Sequence, residues 1–146
     1  MPLDDVQLSG REVRLFPSQH IKSDREAELR ATASFLAVTC AVSEFGRAVV
    51  SLAGGPKGRT RSYTEVPFIT QTGPKSCEDR PDGILRSTFG KRDWMALVEV
   101  KVGNNSLEQE QFERYHTLAN DHQIDALITI SSFHCNSFNH FRLFWS

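Results

Sequence analysis

From Ser23 to Leu52 the apolar residues Phe35, Val38, Val42, Phe45, Val49 and Leu52 recur at alternating steps of three and four, the stripe of an amphipathic helix. Ser23, with Glu26 three residues on, forms a capping box at the start, and Gly54-Gly55-Pro56 ends it. One long helix over residues 23–52 is therefore predicted. Residues 62–69 form a short β-type segment limited by Pro67, which has no N–H to give to a ladder. A Gly/Pro-rich loop leads to a second strand at 81–86 and a third at 93–102. Along the third, Val98, Val100 and Val102 project to one face and Leu97, Glu99 and Lys101 to the other. Glu99 and Lys101 are thus neighbours on one surface.

Gly103-Asn104-Asn105 breaks this strand, and Ser106 with Gln109 forms a second capping box, opening a helix that runs to about Asp121. Leu107, Gln111, Tyr115 and Ala119 share its inward stripe. Residues 125–131 have the length and β-branched content of a buried strand. The order is helix, three strands, helix, strand. It is preceded by a polar arm at 1–22 and followed at 132–146 by an aromatic segment, which is either an edge strand or a tail foreign to the core.

With 146 residues, 39% of them hydrophobic, the chain supports one core. A net charge of -1 excludes binding of nucleic acid through bulk positive charge. A local surface remains open to it: Lys57, Arg59, Arg61, Lys91 and Arg92 supply basic side chains, with solvated loop charges as the competing explanation. Three cysteines without a CxxC pair suggest neither a disulfide framework nor a zinc site, and His134, Cys135 and His140 lack a matching ligand pair. A reducing cytoplasm is expected. The N-terminus has no signal-like apolar run, and no stretch is long enough to span a bilayer, so no membrane is expected either.

The chemistry lies in the second and third strands. Hydrolysing a phosphodiester near neutral pH requires stabilising charge on phosphoryl oxygens and making hydroxide from water, and a divalent cation serves both ends. Magnesium and manganese prefer hard oxygen ligands. Antiparallel pairing about a turn at Gly90 would bring Asp82 and Glu99 side by side, with the Val100 carbonyl as a further ligand and the Lys101 ammonium beside the attacked phosphate. The alternative is a surface strand carrying a cross-strand ion pair.

Pro81-Asp82 followed by Glu99-Val100-Lys101 resembles the signature of the PD-(D/E)xK nuclease superfamily, and the resemblance covers about 23–131. It implies an α/β domain with a restriction endonuclease-like αβββαβ core, a mixed central sheet flanked by helices. It further implies a Mg²⁺ or Mn²⁺ cofactor held by Asp82, Glu99 and Val100, and a nuclease acting on nucleic acid, DNA foremost. Many members place a glutamate on the first helix. Glu44 fits that role, binding the metal directly or through water, because Ala37, Cys40, Ala41 and Ala48 permit close approach to the sheet, whereas the competing explanation is a solvent-facing pair with Arg47. Gln111, in a pattern with Leu107 and Tyr115, would position water or contact the nucleic-acid backbone. Glu65 is a further carboxylate, more simply a polar residue on a half-exposed strand. Cutting both strands of a duplex would take two sites and hence a homodimer. The alternative function is a catalytically incomplete binding module, a fragment of a longer protein: no DNA-recognition domain is visible, and only the aromatic segment follows the last strand.

Overall fold

The computed structural model describes residues 23–72, 75–103, 105–131 and 141–145; the predicted arm at 1–22 and the segment with His134, Cys135 and His140 lie outside the described residues. Among the described residues three helices, α1 (Asp24–Ala41), α2 (Ser43–Leu52) and α3 (Gln109–His122), accompany seven strands. Five of these form the main sheet in the order β1 (Arg59–Thr64), β4 (Gly83–Phe89), β5 (Arg92–Lys101), β6 (Ala126–Ser131), β7 (Phe141–Trp145). The other two, β2 (Phe68–Thr72) and β3 (Lys75–Asp79), pair antiparallel as a separate ribbon. Within the sheet β5 and β6 run parallel, and every other neighbouring pair is antiparallel. The parallel pair is joined through α3, because a parallel connection needs a crossover where a hairpin cannot serve. The chain is thus a mixed α/β domain.

Alternation along β4 and β5 divides the apolar residues between two cores. Ile84, Met95 and Leu97 pack under α3 with Tyr115 and Leu118. Leu85, Ala96, Val98 and Val100 pack on the opposite face with Leu36, Val49 and Val50 from α1 and α2. A fully buried Leu or Ile contributes roughly 1.5–3 kcal/mol, so the layered arrangement rests on this two-sided burial. Strand β5 is buried from Trp94 to Val100 because both of its faces are covered there.

The single helix predicted over 23–52 is two helices bent by 110°. Most of the apolar stripe read from the spacing is not the buried face: Val38, Val42, Phe45 and Leu52 are exposed, Val49 is buried and Phe35 partly so, while Glu28, Thr32, Leu36, Ala37 and Thr39 are buried on α1. The bend folds the stripe onto itself, placing the Phe35 and Phe45 rings edge to face at 6.0 Å. Gly46 permits it, since a Cβ there would sit 2.2 Å from the Thr39 carbonyl oxygen. The predicted strand at 62–69 is likewise divided, because Glu65 adopts a left-handed backbone (φ 53°) between β1 and β2. Helix α3 begins at Gln109, with Glu108 at the N-cap position and no side-chain cap bond, and Gln109 bonds Glu113 (2.9 Å) in place of the expected box with Ser106. Of the aromatic tail, 141–145 form an edge strand on β6. Among the described residues no single helix is long and apolar enough to cross a membrane.

Candidate active site

The β4–β5 register sets the geometry. Phe89 pairs with Arg92 across the Gly90 turn, and the ladder runs to Gly83 opposite Val98. One step before the start of β4, Asp82 therefore falls beside Glu99. The Asp82 amide points to Glu99 Oε2 at 3.5 Å, and the Val100 amide donates to Asp82 Oδ2 at 3.4 Å. Within a strand the N–H and C=O of one residue point to the same side, so the Val100 carbonyl faces this same gap. Gly83 eases close approach here: a Cβ would meet Leu36 Cδ1 at 2.4 Å and push that side chain aside. With glycine, α1 lies against the start of β4, and Arg25 Nη1 reaches Asp82 Oδ1 at 2.7 Å.

Glu99 is buried and held from three sides. Lys101 Nζ lies 2.9 Å from its Oε1, Gln111 Nε2 donates to the same oxygen at 2.8 Å, and the Tyr115 hydroxyl donates to Oε2 at 2.9 Å. Gln111 also donates to the Tyr115 oxygen at 3.1 Å. Lys101 and Glu99 share the face that α3 covers, as alternation requires. Unpaired buried charge is expensive, and among the described residues no buried side-chain nitrogen or oxygen lacks a partner. Burial, and next the Glu99 charge, raise the Asp82 pKa above the usual carboxylate range, against the opposing pull of Arg25 and the Val100 amide. Burial, and then Glu99, push the Tyr115 phenol well above its ordinary value, so it stays a donor.

The helix-borne carboxylate near this centre is Glu28. It is 5% exposed, and its Oε1 accepts from the Val102 amide at 3.3 Å and from Asn105 Nδ2 at 3.1 Å. Glu44 lies beyond the bend, exposed on the first turn of α2. The spacing Arg25, Glu28, Thr32, Leu36 marks one face of α1 at steps of three and four, a signal masked by the stronger apolar stripe on its other side. Glu65 is exposed, between β1 and β2.

The proposed nucleic-acid residues divide from the carboxylates. Arg59 pairs with Thr88, and Arg92 with Phe89, so Lys57, Arg59, Lys91 and Arg92 cluster at the far end of the β4–β5 hairpin from Asp82. At ~3.3 Å per residue, the length of β4 separates these two ends by roughly 20 Å. Arg61 sits between, paired in register with Arg86. All five are exposed.

A divalent cation suits the donors at the carboxylate end. Among the described residues no three His, Cys, Asp or Glu side chains converge as a ligand group. The residues that could hold a cation here are Asp82, Glu99 and the Val100 carbonyl, hard oxygen donors of the kind Mg²⁺ takes beside its own waters. No family model matches the chain, and no curated protein or solved structure does either.

Proposed function

We propose that the chain is a divalent-metal-dependent phosphodiesterase that hydrolyses nucleic acid, DNA foremost, with its centre at Asp82, Glu99 and Lys101. The observation that carries this is the convergence of two buried carboxylates with a lysine ammonium, Lys101 Nζ standing 2.9 Å from Glu99 Oε1. The element order supports a restriction endonuclease-like core: α1, β1, β4, β5, α3 and β6 follow the αβββαβ sequence, with α2 and the β2–β3 ribbon as insertions. Asp82, Glu99 and the Val100 carbonyl would hold Mg²⁺ or Mn²⁺, which would supply Lewis acidity and a lowered pKa for water.

The chain's own residues do the remainder. Lys101, on the strand face of Glu99, sets a point charge where negative charge develops on the phosphoryl oxygens. Gln111 and Tyr115 fix both oxygens of Glu99, as partners behind a ligand commonly do. Gln111 is half-buried and so also within reach of solvent at the site's edge. Glu28 ties α1 to the segment after β5 through Val102 and Asn105, keeping the helix over the strand ends. Cutting both strands of a duplex would bring two copies together.

The test is cleavage of labelled linear, circular and single-stranded DNA in Mg²⁺, Mn²⁺ or EDTA, beside folded Asp82→Ala and Lys101→Ala. Metal-dependent cutting lost in both variants is expected. Undiminished cutting by Asp82→Ala overturns the mechanism, and absence of cutting by a folded, metal-loaded protein favours a binding module instead.

A further inference from the structure

Asp82 and Arg25 form an ion pair of unequal partners. The Asp82 side chain is 1% exposed and that of Arg25 is 56% exposed, at 2.7 Å between Oδ1 and Nη1. The guanidinium thus occupies an oxygen of the carboxylate pair from the solvent side. Lys101, by contrast, is only 15% exposed where it meets Glu99, so Arg25 is the cation that can leave without being stripped from the sheet. Its own charge is already half in solvent, while the enclosed Asp82 it would leave behind calls for a replacement cation.

We propose that Arg25 is a displaceable counter-ion: it competes with the divalent cation for Asp82 and, once displaced, binds the substrate phosphate. This rests on the nuclease reading of the same site. Charge supports both halves. Asp82, Glu99 and Glu28 together outweigh Arg25 and Lys101 by one negative charge, and a divalent ion reverses the sign of the cluster. The freed guanidinium then stands on the first turn of α1 beside a centre that has become attractive to an anion. Its planar fork of donors matches two phosphate oxygens, where lysine presents a point charge. Arginine at this place therefore serves the empty and the loaded states with different partners.

The experiment is Mn²⁺ titration, followed by electron paramagnetic resonance, of wild type, Arg25→Ala and Arg25→Lys, with thermal melting to verify folding and KM for a labelled oligonucleotide measured in parallel. Arg25→Ala should bind Mn²⁺ about five-fold tighter, the scale of a ~1 kcal/mol competitor, while its KM rises about ten-fold. Arg25→Lys should restore competition for Mn²⁺ but recover KM only in part. Mn²⁺ affinity unchanged or weakened in a folded Arg25→Ala, or an unchanged KM, overturns the proposal while leaving the nuclease reading intact. A folded wild type that binds no Mn²⁺ removes both.

Discussion

The two ends of the β4–β5 hairpin carry charge under opposite physical regimes. At one end Asp82 and Glu99 are enclosed, and every polar atom of theirs is answered by a named partner: Arg25, the Val100 amide, Lys101, Gln111 and Tyr115. At the other, Lys57, Arg59, Lys91 and Arg92 are exposed, and Arg92 donates to the Gly54 carbonyl at 3.3 Å. Enclosed charges are exacting, since removing one partner leaves the other desolvated. Solvated ones are interchangeable and screened by salt. Chemistry is therefore expected at the enclosed end and general attraction for a polyanion at the open one.

The largest effect should come from the enclosed end. Asp82→Asn is predicted to lower metal-dependent cleavage by on the order of 10³-fold, the scale of several kcal/mol of lost charge stabilisation; initial rates on plasmid DNA measure it, and a loss under ten-fold would erase the contrast between the ends. Next is Tyr115→Phe, which keeps the ring and deletes the donor to Glu99 Oε2. It should cost about 1–3 kcal/mol in urea denaturation and weaken Mn²⁺ binding by roughly 10–100-fold.

A smaller effect follows from the raised Asp82 pKa. A carboxyl whose folded pKa lies above its unfolded value favours the folded state fully below the unfolded pKa, and loses that contribution as pH rises through the folded pKa. Wild type without metal should thus lose stability relative to Asp82→Asn as pH climbs above about 4, measured as paired urea midpoints across pH. A flat difference would show that Asp82 ionises at its ordinary pH. Smallest is the open end: Arg59→Ala with Lys91→Ala should reduce the salt slope of DNA binding by about one per residue and leave Mn²⁺ affinity unchanged. Altered Mn²⁺ binding there would mean the two ends are coupled.

Much of the enclosed end was legible in the sequence because local rules decide it. Alternation alone put Glu99 and Lys101 on one face, a helical step placed Gln111 and Tyr115 together, and the Gly90 turn fixed the register that brings Asp82 to Glu99. The Ser23 cap also forms, with the Glu26 amide 3.2 Å from Ser23 Oγ. Whatever depended on tertiary direction was not legible. The 110° bend requires Gly46 to nest against Thr39, a contact no periodicity encodes. Because the bend turns α2 away, the helix carboxylate near the site is Glu28 rather than Glu44. The basic residues lie close to Asp82 in sequence order but at the opposite end of the same strands, since an antiparallel strand carries its two termini apart. The β2–β3 ribbon was hidden in a segment whose glycine and proline resemble loop.

The central claim is that Asp82 and Glu99 jointly hold one divalent cation. It is tested most directly by Mn²⁺ titration, read by electron paramagnetic resonance, of folded wild type and folded Glu99→Gln. Saturable binding by wild type, lost in the variant, is the predicted result. A wild type that binds no Mn²⁺, or a Glu99→Gln protein that binds it as tightly as wild type, would contradict the account.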